Sequence, residues 1–412
     1  MNLPHQPPDR STFKRELADL EARFEDLQPE LELVVRDPAL GLKGYVVVWS
    51  TLNAVGGPLG RCGKGGTRIT PSLSLQEVRM LARTQSLKNA AAGLPLGGAK
   101  SGLAADPRSA GFETLYRRFV RLVAPALRQN GGPWGGFGFD LGADPIHAEW
   151  ACDELNSTSC FTGKPVSQGG TDYDAEGIAG LGVVVAATTL LKYQQRPVDL
   201  THCAVQGLGA MGAAVCRYAS QEGMEVRFIA DPRVGGCWRL ESALTGELRD
   251  AVIHGHFEKA RSLLESGPHL RMDLDDVLTQ QVEVLFPCDV QYVIREENVD
   301  QVSARAVVEG ANNPLTPEAR TRLHERGVTV IPDIIANPGG AIAAFVELTS
   351  EISNEENIRT RAKVEEAKEF TRHKVAANVR EVLALADAVG VDPVQAAFYL
   401  AYCRVFGEVE QG

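Results

Sequence analysis

Three lysines and one aspartate stand among residues that suit chemistry better than solvation. Lys64 lies in GKGGTR, Lys88 in QSLKNA and Lys100 in LPLGGAKSG, each inside or beside a cluster of glycines and small apolar residues. Burying an ammonium group without a partner is expensive. Lysines in such settings are therefore either solvated on loop surfaces or held to meet an anion. Asp140 closes the stretch GGFGFDLGADP. A carboxylate beside several lysines is a candidate general acid or base whose neighbours tune its pKa; taken alone, it reads first as a turn or N-cap aspartate. A second pattern is Gly207-x-Gly209-x-x-Gly212, with Ala210 and Met211 ahead of its third glycine. It follows the short strand pattern His202–Gln206 and opens a helical one, and Asp231 ends the next strand 24 residues on. In that context the pattern is a dinucleotide-binding fingerprint. The first glycine permits the tight turn, the second the approach of a pyrophosphate, and the third close packing of helix on strand. Asp231 suits the ribose hydroxyls of NAD and repels a 2′-phosphate, so NAD is the expected cofactor. Arg233, two residues later, offers that phosphate a partner and leaves NADP open. The stretch Gly93–Ser101 nearly imitates a phosphate loop, but Ala99 separates Gly98 from Lys100, and a nucleoside-triphosphatase is rejected.

Glycine is what ties these residues together. It makes up 41 of the 412 residues, above the usual share, and it is clumped. Six lie in Gly56–Gly66, four in Gly93–Gly102 and six in Gly131–Gly142, around Lys64, Lys100 and Asp140 respectively. Forty-two basic against 53 acidic residues leave a net charge of −11, which argues against a nucleic-acid partner. No apolar run reaches the length of a membrane span; Gly177–Leu191 reads as a buried helix. The eight cysteines show neither C-x-x-C nor zinc spacing, so reduced thiols in a cytoplasmic protein and no metal site are expected.

The elements that must position these groups follow from periodicity. Ser11–Pro29 reads as an amphipathic helix, Leu31–Val35 and Leu42–Trp49 as strands. Ser74-Leu75-Gln76-Glu77 has the form of a capping box opening a helix that Gly93 and Pro95 stop. Helical pattern resumes over Gly111–Arg128. Beyond Leu200, strands at His202–Gln206, Glu225–Ala230, Val282–Phe286, Ala306–Val308 and Val328–Ile331 alternate with helices, which implies a parallel sheet covered on both faces. Two helices, Asn354–Ala384 and Pro393–Val405, end the chain.

The ordered stretches KGGTR, LKNAAAGLPLGGAKSG, FTGKPVSQGG, VVEGANNPLTPEA and PDIIANPGGA resemble the glutamate/leucine/phenylalanine/valine dehydrogenase superfamily, most closely its hexameric glutamate dehydrogenases. The resemblance spans about Leu31 to Val405. It implies an α/β fold of two domains with a cleft between them: a substrate and assembly domain over residues 1–170, a Rossmann-like dinucleotide domain over 171–344, and C-terminal helices over 345–412 returning to the first. It implies NAD(P)-dependent oxidative deamination of an amino acid to a 2-oxo acid and ammonia, in a homohexamer. By matching position, Lys88 would hold the α-carboxylate, Lys100 would activate water on the imine and Asp140 would shuttle the proton. Lys64 would hold the side-chain carboxylate of a glutamate-like substrate, and Asn312 and Asn337 would lie near the nicotinamide and its ribose.

Departures from that pattern bear on the substrate. Where relatives read like R-N-E-A-T-G-R-G, this chain has Ala175 for the arginine and Ala179 for the threonine that bonds the carboxamide. Ala344 stands for a serine that helps hold the side-chain carboxylate, and Gly138 for an alanine two residues before Asp140. Lys64 argues for glutamate, since leucine-type enzymes are apolar there, while Ala344 argues for a less polar or larger substrate. A dehydrogenase for another amino acid is one alternative. Another is a regulatory subunit or amino-acid sensor working in a hetero-oligomer with a catalytic paralogue.

Overall fold

The computed structural model describes residues 7–352 and 361–407. The chain forms two compact units: the described residues of Met1–Tyr173, Ala341–Phe370 and Phe398–Gly412 make the first, and Asp174–Gly340 with Thr371–Ala397 the second. The C-terminal segment is thus shared between the units, whereas the sequence suggested that it returns whole to the first.

In the first unit, helix α1 (Arg10–Glu25) starts one residue earlier than the periodicity indicated, because Asp9 caps it by accepting from the Ser11 and Thr12 amides. Strands β1 (Leu31–Asp37), β2 (Leu42–Ser50), β3 (Gly63–Lys64) and β4 (Thr67–Ile69) follow. Helix α2 (Leu75–Ala91) begins at the Ser74 cap, whose hydroxyl accepts from the Glu77 amide. Strand β5 (Gly97–Leu103) is the centre of the sheet: β2 runs antiparallel to it and both β3 and β4 parallel. Helix α3 (Phe112–Val123) turns Phe112, Tyr116, Phe119, Val120 and Val123 inward. It stops short of Arg128 because Pro125 has no amide to continue it; two 3₁₀ turns take over. Strand β6 (Phe137–Gly138), helix α4 (Pro145–Leu155) and strand β7 (Phe161–Thr162) close this part, with β6 parallel to β7.

The second unit holds a seven-stranded sheet. Helix α5 (Ile178–Tyr193) is buried over nearly its whole length, as its apolar composition requires. Then come β8 (His202–Gln206), α6 (Ala210–Gln221), β9 (Glu225–Asp231), β10 (Gly236–Arg239), α7 (Gly246–Ile253), α8 (Phe257–Ser266), β11 (Leu270–Met272), β12 (Val284–Pro287), β13 (Ala306–Val308), α9 (Pro317–Glu325), β14 (Thr329–Ile331) and α10 (Asp333–Ala336). The strand order is β11-β10-β9-β8-β12-β13-β14. The five strands from β9 to β14 in that order are parallel, as expected of a Rossmann-like sheet. The antiparallel edge pair β10 and β11 is an addition that no periodicity announced, since both are short.

Helices α11 (Gly339–Thr349), α12 (Ala362–Val389) and α13 (Pro393–Val405) complete the chain. The first residues of the helix expected over Asn354–Ala384 lie outside the described residues. Among the described residues no single helix is long and apolar enough to cross a membrane.

Candidate active site

Strand β5 is buried along its whole length, yet four of its seven residues are Gly97, Gly98, Gly102 and Lys100. Side chains alternate along a strand, so Gly98, Lys100 and Gly102 share one face while Ala99 and Leu103 enter the core lined by α3. Helix α2 packs on the Lys100 face so closely that a Cβ on Gly98 would meet Ser86 Oγ at 2.0 Å. The glycines therefore admit the helix that carries Lys88, and they leave Lys100 as the one long side chain on that face of the strand. Lys88 itself is half-buried on α2. Its neighbour Asn89 donates to the carbonyls of Lys64 (3.2 Å) and Gly97 (2.8 Å), tying β3 to the start of β5. Sequence reasoning passed over Asn89, although it adjoins Lys88 in the same motif.

Lys100 and Asp140 meet: Nζ lies 2.6 Å from Oδ2, with 9% and 20% of the two side chains exposed. Asp140 reaches this place because residues 65 and 66 have no side chains; a Cβ on Gly66 would stand 2.3 Å from the Phe139 carbonyl. A second cation is present that the motif reading did not assign. Arg68, on β4, donates through Nε (3.2 Å) to Oδ2 and through Nη2 (3.3 Å) to Oδ1 of Asp140, and through Nη1 to Glu77 (3.0 Å). Burial alone would raise the Asp140 pKa, but Lys100 and Arg68 outweigh it and hold the carboxyl at about 2. The expectation of a turn or cap aspartate is replaced by an ionised carboxylate between two cations.

Lys64 is 4% exposed. Its ammonium donates to three main-chain carbonyls, Phe137 (2.7 Å), Gly136 (3.0 Å) and Gly65 (3.3 Å), and among the described residues no carboxylate lies within ion-pair distance of it. Burial pushes its pKa down to about 7. Among the described residues its charge is offset only from a distance, by Glu347. Gly138 borders it: a Cβ there would stand 3.2 Å from Lys64 Nζ and from Thr162 Oγ1. Ala344 lies on α11, one turn before Glu347, so both face the same way. Glu347 forms a buried ion pair with Lys164 and accepts from the amides of Gly163 (2.8 Å) and Thr171 (3.1 Å) and from the Thr171 hydroxyl (2.9 Å). That network fixes α11 to the FTGKP segment; the segment was recognised as a motif, but the role of Lys164 was not.

In the second unit, Gly207 follows β8 with φ +84°, a backbone state that favours glycine, and Gly209 precedes the first turn of α6. A Cβ on Gly212 would stand 1.8 Å from the Gly207 carbonyl, so the turn and the helix can approach as a pyrophosphate cradle requires. Ala210 and Met211 form the first turn of α6, where the amides lack intrahelical acceptors and suit an anion. Asn337 donates through Nδ2 to Gly310 O (2.9 Å) and Asn312 Oδ1 (3.1 Å), while its buried Oδ1 has no hydrogen-bond partner. An unsatisfied buried acceptor beside the EGAN loop fits a ligand donor such as a carboxamide or a ribose hydroxyl. The loop is braced from below by Glu309, which takes two bonds from Arg320 (2.8 and 2.6 Å) and one from the Asp333 amide (3.1 Å). These residues fit a dinucleotide.

Asp231 departs from its expected part. Oδ1 accepts from Arg233 N (2.8 Å) and Nε (2.9 Å), and Oδ2 from Arg233 Nη2 (2.7 Å) and Leu208 N (2.8 Å). Four bonds use up the acceptor capacity of a carboxylate. Arg233, meanwhile, is about half exposed and its guanidinium lies 3.8 Å from the centre of the Phe257 ring.

The model of the Glu/Leu/Phe/Val dehydrogenase dimerisation domain matches residues 32–156, and that of Glutamate/Leucine/Phenylalanine/Valine dehydrogenase matches residues 169–412. The chain is 36% identical over 297 residues to the NADP(+)-dependent glutamate dehydrogenase of Pyrobaculum calidifontis, covering 69% of this chain and 68% of that one. It is 31% identical over 360 residues to the glutamate dehydrogenase of Thermotoga maritima, covering 82% of each. Among solved structures, the hetero-hexameric glutamate dehydrogenase from Thermus thermophilus in its Leu-bound form superposes with a TM-score of 0.72 at 27% identity, over 98% of both chains.

Proposed function

The chain belongs to the Glutamate/Leucine/Phenylalanine/Valine dehydrogenase family and is an amino-acid dehydrogenase that uses a nicotinamide dinucleotide; from that premise we propose that its substrate is L-glutamate and its preferred cofactor NADP. The observation that carries the substrate is Lys64, a buried ammonium whose partners are main-chain carbonyls. A side-chain carboxylate from the substrate would take over one of those three bonds, the longest being that to the Gly65 carbonyl, and such a charge-assisted contact is stronger than a neutral one. Gly138 leaves room beside Lys64.

A nicotinamide dinucleotide held by the Gly207–Gly212 turn and Asn337 would supply the hydride acceptor for the substrate α-carbon, and water would then add to the imine carbon. Lys88 holds the α-carboxylate. Lys100, as the amine, takes a proton from the attacking water after passing its own across the 2.6 Å contact to Asp140. Asp140 delivers that proton to the nitrogen that leaves as ammonia.

The preference for NADP rests on Arg233. With Asp231 saturated by its own neighbours, the group presented at the end of β9 is a guanidinium, placed where a 2′-phosphate is read in such folds. Arg233→Ser is expected to weaken NADP⁺ binding by ~10–100-fold, the value of a lost charge-assisted contact, and NAD⁺ binding by far less. Titration calorimetry with both dinucleotides reads the difference directly; equal losses for both would overturn the assignment. A hexamer of this one chain is the proposed assembly; the dimerisation domain supports an oligomer, the similar Thermus thermophilus enzyme is a hetero-hexamer, and light scattering at six chain masses tests the proposal.

A further inference from the structure

The contact that the family reading leaves unexplained is the bidentate grip of Arg68 on Asp140. Three cationic or anionic side chains from three different elements converge there: Lys100 from β5, Arg68 from β4, and Glu77 from α2 standing behind Arg68. The Ser74 hydroxyl caps α2 at the amide of Glu77, so the carboxylate that braces Arg68 starts from a fixed point. A carboxylate bonded by lysine alone can rotate about its Cβ–Cγ bond, because an ammonium is a point charge. Two nearly parallel bonds from a planar guanidinium fix the plane as well as the place. Arg68 touches both Asp140 oxygens while Lys100 touches one.

We propose that Arg68 is a positioning residue that holds the Asp140 carboxylate in one plane against Lys100 and keeps it unprotonated between turnovers. The proposal rests on the reading of Asp140 as the proton shuttle. Arg68 performs two separable tasks, one by charge and one by geometry. As charge, it adds to Lys100 in opposing protonation of Asp140. As geometry, it keeps the oxygen that receives the proton aimed at Lys100 Nζ.

Two variants separate the tasks. Arg68→Gln removes the charge and the fork. In the wild type the acid limb owed to Asp140 lies below the working range, since its carboxyl is held at about 2. Losing an opposed charge raises a carboxylate by ~1–3 units, so in Arg68→Gln a new fall of kcat/KM appears toward low pH. Arg68→Lys keeps the charge and loses the fork: its acid limb stays where the wild type has it, while kcat falls by about 10–100-fold, the cost of a misplaced group. KM for the amino acid stays near the wild-type value in both. The measurement is the pH profile of kcat and kcat/KM between pH 3 and 9, with the melting temperature of each variant alongside.

A merely structural arginine gives a different pattern, with both variants losing stability and neither moving the acid limb. That outcome overturns the proposal, as does an Arg68→Lys variant with wild-type kcat. Should Arg68→Gln fail to fold, Glu77→Gln replaces it: it frees the guanidinium without removing its charge, so a lower kcat on an unmoved acid limb is required. An Asp140→Asn variant with wild-type kcat would instead remove the shuttle role, and so distinguishes failure of that reading from failure of this one.

Discussion

Lys100→Ala is expected to lower kcat for oxidative deamination by ~10²–10⁴-fold, the range that a positioned acid or base contributes. The loss falls on kcat because Lys100 sits in the middle of a fully buried strand, with its partner Asp140 already placed by Gly66 and Arg68. Removing the amine deletes the proposed acceptor of water's proton and leaves Lys88 and Lys64, the proposed holders of the α- and side-chain carboxylates, untouched. KM for the amino acid should therefore change by only a few-fold. Cofactor binding, which depends on the Gly207–Gly212 turn, should not change. Steady-state absorbance of the reduced dinucleotide checks the first, and dinucleotide titration the second. A variant that keeps a tenth or more of wild-type kcat would show that another group activates water.

Lys64→Leu is expected to cut kcat/KM for glutamate by at least ~100-fold, since truncating one partner of a desolvated charge pair costs about 2–5 kcal/mol. For an apolar amino acid the same change should be neutral or favourable, because it removes a buried cation whose charge is offset only from a distance. A pH effect accompanies it, and its sign follows from the direction of the shift. Burial lowers Lys64 from the usual lysine value to about 7 in the free protein. The ammonium form is present below that pH and is lost above it. Glutamate kcat/KM should thus decline as pH rises through about 7, by up to tenfold per unit, and this component should vanish in Lys64→Leu. Equal effects of the substitution on glutamate and on leucine, or an unaltered pH profile, would remove Lys64 from contact with the side-chain carboxylate.

How much of this was legible in the sequence divides along physical lines. Glycine clustering located Lys64, Lys100 and Asp140 because close backbone approach demands a residue without a Cβ, and that demand is written residue by residue. The fingerprint at Gly207–Gly212 was legible for the same reason. The alternation of strands and helices in the second unit likewise followed from periods of 2 and 3.6. Arg68, Asn89 and Glu347 were not legible as parts of the site. Each acts through a partner distant in the chain (Asp140, Lys64 and Lys164), and a long-range hydrogen bond leaves no local pattern. Asp231 is the complementary case. Its position marked it as a ribose acceptor, and only the geometry reveals that Arg233 and the Leu208 amide occupy both oxygens. The helix ends differed by a few residues wherever a cap or a proline outweighed periodicity, as at Asp9 and Pro125.

The central claim is that this chain turns a buried lysine toward the side-chain carboxylate of glutamate while Lys100 and Asp140 process the imine. The measurement that tests it most directly is a spectrophotometric screen of the twenty amino acids with NADP⁺ and NAD⁺ on the purified chain. Reduced dinucleotide should form fastest with L-glutamate and more efficiently with NADP⁺, as judged by kcat/KM. Formation with an apolar amino acid in preference to glutamate, or with none of the twenty, would contradict the account.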